Sequence, residues 1–107
     1  MKTSPDTKTL NEITRRIVKV AKPQRVLLFG SAARGEFTPD SDLDMLVIVN
    51  EPVHRRRMAQ EIYRNLHGVG VAVDVIVATL KDVQIYGKKS GTILKPALEE
   101  GRVLYEI

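Results

Sequence analysis

The sequence predicts an α/β fold, of the α+β kind, in which helices pack on a small mixed central sheet. Three apolar runs rich in branched residues are typical of buried strands, and stripes of apolar residues at helical spacing stand before, between and after them. At 107 residues, 43% of them apolar, the chain can bury one hydrophobic core but not two. We therefore expect a single domain over residues 1–107, with residues 1–8 as a flexible leader.

The first helix is predicted from about Leu10 to Ala21. Thr9, followed three residues later by Glu12, is a capping-box pattern that favours a helix start at this point. Lys22-Pro23 ends the helix, because proline disfavours the helical conformation in the residue before it and has no backbone N–H. The apolar stripe of this helix consists of Leu10, Ile13, Ile17 and Val20.

Three apolar runs predict the strands, which are Arg25–Phe29, Leu43–Val49 and Val71–Ala78. Residues 32–41 contain glycine, proline and aspartate, which predict at most a turn of helix and then a loop. A helical stripe from Met58 to Leu66, with Tyr63 as a core residue, separates the second strand from the third and permits a parallel crossover.

The last third of the chain predicts shorter elements. Thr79 and Asp82 have the spacing of a capping box and open a short helix. A final helix, marked by apolar residues from Ile93 to Leu98, ends at Gly101, and residues 103–107 predict an edge strand.

Composition and charge exclude several classes of function. The chain has no cysteine, which rules out disulfide scaffolds, cysteine zinc sites and thiol catalysis and suits a reducing cytoplasm. No apolar run reaches the ~18 residues that cross a bilayer, so we expect a cytoplasmic protein without a membrane partner. The net charge of +4 attracts polyanions such as nucleoside triphosphates. An aromatic share of 5% does not favour nucleic acid as a partner, although it does not exclude it.

Two aspartates stand two residues apart at the start of the second strand. Because side chains alternate along a strand, Asp42 and Asp44 project from the same face, about 7 Å apart. Carboxylates placed in this way can share one or two Mg²⁺ ions, which hold a triphosphate and stabilise the oxygens of an in-line displacement. The alternative is that Asp42 belongs to a turn and Asp44 faces solvent at a sheet edge.

A third aspartate, Asp74, interrupts the branched run of the third strand. An ionised carboxylate without a partner is costly in the middle of a buried strand, so we expect Asp74 in a cleft or beside cations, with a metal ion as its natural partner. The alternatives are a salt bridge to an arginine and a position that faces solvent on a half-exposed sheet.

Gly30 and Ser31 directly follow the first buried strand. Glycine lets a backbone approach a phosphate closely, and a serine that starts a helical turn offers its hydroxyl and backbone N–H groups to an anion. By itself the dipeptide is equally typical of an ordinary turn. Gly-Ser followed at this fixed spacing by Asp-x-Asp is expected by chance in on the order of one in a thousand chains of this length, so the combination is specific.

The stretch LLFGSAARGEFTPDSDLDMLVIV, followed by VAVDVIV, resembles the DNA polymerase beta-like nucleotidyltransferase superfamily, and most closely its minimal single-domain members, the MNT proteins. The resemblance covers residues 10–107 and implies the nucleotidyltransferase fold. It also implies catalytic residues that bind two Mg²⁺ ions with the nucleotide, and these are Asp42, Asp44 and Asp74. The nucleotide-binding residues that it implies are Gly30, Ser31, Arg34 and Ser41, although Arg34 is equally suited to a salt bridge within the loop.

Size separates this chain from the larger relatives, which carry further domains that bind the acceptor. Similar minimal proteins are paired with a helical HEPN partner, commonly a ribonuclease toxin. The resemblance therefore implies an antitoxin that transfers AMP from ATP to a hydroxyl of such a partner. Two alternatives stay open, namely a non-catalytic module that neutralises a partner by contact and a small-molecule nucleotidyltransferase that acts as an oligomer.

One basic run has no place in this interpretation. Residues 54–57, His-Arg-Arg-Arg, open a predicted helix, where cations oppose the helix dipole. The run suits a protein partner or a polyphosphate, and a solvated helix face is the alternative.

Overall fold

The computed structural model describes residues 5–38 and 40–107. Its elements follow the predicted order of helices and strands, with a single 3₁₀ turn after the first strand. They are α1 (Thr7–Ala21), β1 (Arg25–Phe29), the 3₁₀ turn (Gly30–Ala32), β2 (Leu43–Val49), α2 (Arg55–Asn65), β3 (Val73–Thr79), α3 (Leu80–Tyr86), α4 (Leu94–Glu100) and β4 (Arg102–Glu106).

The four strands form one mixed sheet in the order β3-β2-β1-β4. β1 is antiparallel to both β2 and β4, whereas β2 and β3 are parallel and are connected through α2. The predicted α+β class, the mixed sheet and the crossover are therefore confirmed. In this arrangement β3 and β4 are the edge strands, and within the described residues no helix is long and apolar enough to cross a membrane.

Apolar side chains pack on both faces of the sheet, which explains why β1 and β2 are almost continuously apolar. On one face α1 and α2 cover a larger core, and on the other face α4 covers a smaller one. The larger core contains Ile13, Ile17, Val26, Leu28, Met45, Val47 and Ile62. The smaller core contains Leu27, Leu46, Ile48, Ala78, Leu94 and Ala97.

The start of α1 differs from the prediction. The helix begins at Thr7 after the N-cap residue Asp6, and the Thr9 hydroxyl donates to Asp6 Oδ2 instead of capping a helix of its own. Glu12 pairs with Arg15 and Arg16, and these hydrogen bonds lower its pKa to about 2. The expected capping box at Thr9 is therefore wrong, and residues 7 and 8 of the expected leader are helical, while residues 1–4 lie outside the described part of the chain.

The other predicted cap is confirmed. The Thr79 hydroxyl accepts a hydrogen bond from the Asp82 N–H, and the Asp82 carboxylate accepts one from the Thr79 N–H, both at 3.0 Å. His54 caps α2 in a similar way, because its Nδ1 accepts a hydrogen bond from the Arg57 N–H at 3.2 Å. The first residue of the basic run is thus used to start a helix.

Candidate active site

The sheet register brings two of the predicted aspartates side by side. Asp44 of β2 is the direct neighbour of Asp74 of β3, near the end of the parallel pair where both strands begin. Asp42 stands one residue before β2, and the Leu43 N–H that follows it donates to the Ala72 carbonyl at 2.9 Å. All three carboxylates therefore lie at one end of the sheet.

Gly30 lies against Asp44 from the opposite side. Phe29, the last residue of β1, is the register partner of Asp44, so the chain leaves β1 beside this carboxylate. Gly30 has a φ of +72°, which favours glycine, and a Cβ built on it would collide with Asp44 Oδ2 and lie 3.2 Å from Asp44 Cγ. The carboxylate thus fills the space that a side chain at position 30 would need.

Asp44 is the one carboxyl group of these three that is not exposed. Its half-buried position raises its pKa above the ordinary value, the negative charges of Asp74 and Asp42 raise it further, and the Arg34 guanidinium lowers it. Clustered carboxylates without an adjacent cation favour either a proton or a metal ion. Asp42 and Asp74 are exposed. For Asp74 this agrees with the alternative of a position that faces solvent on a half-exposed sheet, and a metal ion as its partner stays a prediction.

The connection between the 3₁₀ turn and β2 carries the remaining predicted residues. The Gly30 carbonyl accepts the N–H groups of Ala33 and Arg34, and the Ser31 carbonyl accepts that of Glu36 at 2.8 Å. The Ser41 hydroxyl accepts the Thr38 N–H at 3.1 Å and so closes the turn ahead of Asp42.

Arg34 forms ion pairs on two sides. Its Nε lies 3.1 Å from Glu36 Oε1, and its Nη1 lies 3.5 Å from Glu100 Oε1 at the end of α4. Both contacts are exposed, so the loop salt bridge predicted as an alternative is present. A phosphate contact by the same side chain stays a prediction.

The donor chemistry of the site fits Mg²⁺. The ion prefers oxygen ligands and is commonly held by one or two carboxylates together with substrate phosphates. Asp42, Asp44 and Asp74 supply carboxylates, and the missing side chain at Gly30 leaves the room that the Asp44 carboxylate occupies. Across residues 5–38 and 40–107, no group of three or more acidic, histidine or cysteine side chains is arranged closely enough to hold a metal by itself.

Tyr63 is a residue of this region that the sequence does not single out. The apolar spacing along α2 predicts it as a core residue, but it is 43% exposed, and its hydroxyl accepts a hydrogen bond from the Val75 N–H at 2.8 Å. Nothing in that spacing indicates a hydroxyl that reaches the edge of β3.

Comparison with known proteins identifies the family of this chain. The model of the nucleotidyltransferase domain family matches residues 7–104. The protein named "Putative protein adenylyltransferase MJ0604" of Methanocaldococcus jannaschii is 34% identical over 83 residues, which are 77% of this chain and 78% of that protein.

Two solved structures have the same fold. One is described as a putative nucleotidyltransferase from Sulfolobus solfataricus, with a TM-score of 0.64 and 20% identity over 92% of this chain and 78% of that one. The other is a toxin-antitoxin structure with AMP-PNP, with a TM-score of 0.57 and 22% identity over 92% of this chain and 73% of that one. The chain belongs to the nucleotidyltransferase domain family.

Proposed function

We propose that this nucleotidyltransferase transfers AMP from ATP to a hydroxyl group of a partner protein in a Mg²⁺-dependent reaction. The observation that carries the proposal is the register pair of Asp44 and Asp74 beside the side-chain-free backbone of Gly30. Carboxylates that could bind a metal ion and a backbone that could approach a phosphate are thereby adjacent. The proposal further makes the protein the antitoxin of a HEPN/MNT pair.

Each residue has a role in this reaction. Asp42 and Asp44 hold Mg²⁺ with the triphosphate, and Asp74 completes the metal site. The triphosphate is held by Gly30, Ser31, Arg34 and Ser41. The bound metal would neutralise charge on the phosphates, while the protein aligns the acceptor oxygen with the α-phosphorus.

The transfer itself exchanges the phosphoanhydride linkage between the α- and β-phosphates for a phosphoester linkage to the acceptor. The acceptor oxygen forms a bond to the α-phosphorus, the bond from that phosphorus to the bridging oxygen breaks, and pyrophosphate leaves with the electron pair. Asp74 accepts the proton of the acceptor hydroxyl. This carboxylate is suited to the task because it is exposed at the edge of the sheet, where an acceptor can reach it.

Two comparisons support a protein acceptor. The relative from Methanocaldococcus jannaschii is named as a protein adenylyltransferase. A further structure of the same fold is a mutant of the toxin-antitoxin complex MntA-HpeT, with a TM-score of 0.61 and 18% identity over 92% of this chain and 73% of that one.

The test is transfer of label from α-labelled ATP to a coexpressed HEPN-type protein, measured beside ATP affinity by calorimetry. We expect label on the partner that depends on Mg²⁺, and Asp74→Asn should reduce transfer much more than affinity. Tight partner binding without label, and without dependence on ATP, would instead identify a module that acts by contact. Label on a small molecule, with none on protein, would identify the oligomeric small-molecule enzyme.

A further inference from the structure

We infer that Tyr63 is a positioning residue for Asp74, an inference that rests on the proposed function of Asp74 as proton acceptor. Tyr63 lies in the last turns of α2, and its hydroxyl accepts a hydrogen bond from the Val75 N–H at 2.8 Å. That N–H belongs to the peptide unit that joins Asp74 to Val75. The tyrosine therefore holds the backbone directly after the carboxylate.

The position of Asp74 in the sheet explains why such a contact matters. β3 is an edge strand, so only its inner side is paired, through the register of Asp74 with Asp44. Because successive N–H groups of a strand point to opposite sides, the Val75 N–H that meets Tyr63 points away from β2. The hydroxyl thus supplies, at this one peptide, the outer hydrogen bond that a further strand would supply.

A second outer N–H of β3 is held in the same manner but far from the aspartates. The Thr79 N–H donates to Asp82 Oδ2 at 3.0 Å at the other end of the strand. That contact belongs to the helix cap of α3, which accounts for it. The contact of Tyr63 belongs to no cap, and it falls on the residue that follows Asp74.

The orientation of the Asp74 peptide sets the direction of the Asp74 side chain relative to Asp44. If the outer hydrogen bond is lost, the edge strand gains freedom at this point, and the carboxylate spends less time in the geometry that accepts a proton. The hydroxyl of Tyr63 is bonded to β3, whereas Gly30, where the proposed nucleotide-binding segment begins, lies on the β1 side of Asp44. The expected signature is therefore a slower transfer with nearly unchanged ATP affinity.

Tyr63→Phe removes the hydroxyl and keeps the ring. We expect the Val75 amide to exchange with solvent at least about 10-fold faster, and the transfer rate at saturating Mg²⁺ and ATP to fall about 3- to 10-fold, the factor that corresponds to one neutral hydrogen bond. The KM for ATP should change less than about twofold. The matched control is Tyr86→Phe, since Tyr86 is 40% exposed and contacts Lys89 through its ring, 5.8 Å from Lys89 Nζ to the centroid. The control should change neither quantity.

A double-mutant cycle with Asp74→Asn distinguishes positioning from a merely structural contact. If Tyr63 acts through Asp74, Tyr63→Phe should slow transfer in the wild type and have no further effect in the Asp74→Asn background. Equal effects in both backgrounds, or a transfer rate equal to that of Tyr86→Phe, would overturn the inference while the proposed function stands. A wild-type protein that labels no partner would overturn the proposed function itself, and the role of Tyr63 with it.

Discussion

The two ends of the β2–β3 pair differ in how their carboxylates are neutralised. At the end with Asp44 and Asp74, carboxylates neighbour one another, and the pKa of Asp44 is raised by burial and by the other two aspartates. At the opposite end, Asp82 accepts two hydrogen bonds from Arg55, at 2.7 and 2.8 Å, and the pKa of Asp82 is lowered chiefly by this arginine.

Glu51 is a second carboxylate with hydrogen-bond partners at the end of the β2–β3 pair where Asp82 lies. It accepts the Lys81 N–H at 2.7 Å, and its pKa is lowered by the Thr79 hydroxyl and by this backbone hydrogen bond. Ionised Asp82 and Glu51 therefore favour folding, whereas ionised Asp44 at the other end opposes it until a cation neutralises it. Acidic residues that stabilise the fold have cationic or N–H partners, and acidic residues available for chemistry have other carboxylates as neighbours. The two kinds can thus be distinguished by the groups next to them.

The largest expected effect follows from removing Asp44, the central carboxylate at the end where the aspartates neighbour one another. Asp44→Ala should reduce transfer of AMP at least about 100-fold, because the proposed metal site loses the carboxylate next to both other groups. The fold should survive, since crowded negative charge is relieved. Labelled transfer and thermal unfolding check both parts, and an Asp44→Ala variant that binds ATP with the same dependence on Mg²⁺ as wild type would contradict the assignment.

Substitution of Gly30 tests whether ATP binding depends on the space beside Asp44, separately from the strain of a positive φ. Gly30→Ala should destabilise the protein and weaken ATP binding, because the new Cβ collides with the Asp44 carboxylate at a φ of +72°. Gly35→Ala is the matched control, since Gly35 has a φ of +76° and a methyl group added there would have no other atom within 4 Å. In the control, the backbone strain should lower the free energy of unfolding by about 1–2 kcal/mol, and the affinity for ATP should stay unchanged. Equal ATP affinities in the two variants would show that the contact with Asp44 is irrelevant to binding.

Removing the paired carboxylate at the opposite end should affect stability and leave transfer intact. Asp82→Ala loses both the cap of α3 and the contact with Arg55, and we expect the free energy of unfolding to fall by about 1–2 kcal/mol. Urea unfolding measures this, with Glu99→Ala as a control that removes an exposed partner of Lys95 and should leave the midpoint almost unchanged. A transfer rate reduced as strongly as in Asp44→Ala would remove the distinction between the two ends.

The smallest effect is a difference in pH dependence without Mg²⁺. Asp44 has a raised pKa when folded, so the folded state binds its proton more tightly, and the free energy of unfolding falls as pH rises from the ordinary carboxyl pKa through the raised value. Asp44→Asn lacks this loss, so its stability relative to wild type should increase as pH rises from the ordinary carboxyl pKa of about 4 through the raised pKa of Asp44.

Asp82 should show the opposite sign. Because its pKa is lowered in the folded state, wild type should exceed Asp82→Asn in stability at neutral pH and lose this advantage as pH falls through the lowered value. Urea midpoints for the three proteins, from neutral pH down through the lowered pKa of Asp82, measure both trends. If the urea midpoints of Asp44→Asn and Asp82→Asn changed with pH in the same way, the difference between the two ends would be contradicted.

Much of the fold can be predicted because its signals are local. The predicted strand Leu43–Val49 has the bounds of β2, since a strand buried on both faces is apolar throughout. The cap formed by Thr79 and Asp82 involves residues three apart, so its pattern is contained in a few positions. Thr9 and Glu12 show the same pattern but do not cap α1, because the helix begins at Thr7 and Thr9 lies inside its first turn.

The site is predictable only in part, because it depends on how strands are ordered. The spacing of Asp42 and Asp44 indicates one face of a strand, but the pairing of Asp44 with Asp74 follows from the register of β2 with β3. Asp74 is exposed although Val75 and Val77 of the same strand are buried, and the contact of Tyr63 follows from where α2 meets the edge of β3. These are properties of the assembled sheet, and the periodicity of the sequence carries no information about them.

The connection between the 3₁₀ turn and β2 has a consequence for engineering. Its two ends are held together by the register of Phe29 with Asp44, and that pairing does not depend on the length of chain between them. Gly35 lies there in the open, and doubling a flexible connection costs only about 0.6 kcal/mol of closure entropy. Inserted segments at Gly35 would therefore change the surface next to Asp44, and a library of loop lengths would sample such surfaces while the strands keep the carboxylates in place.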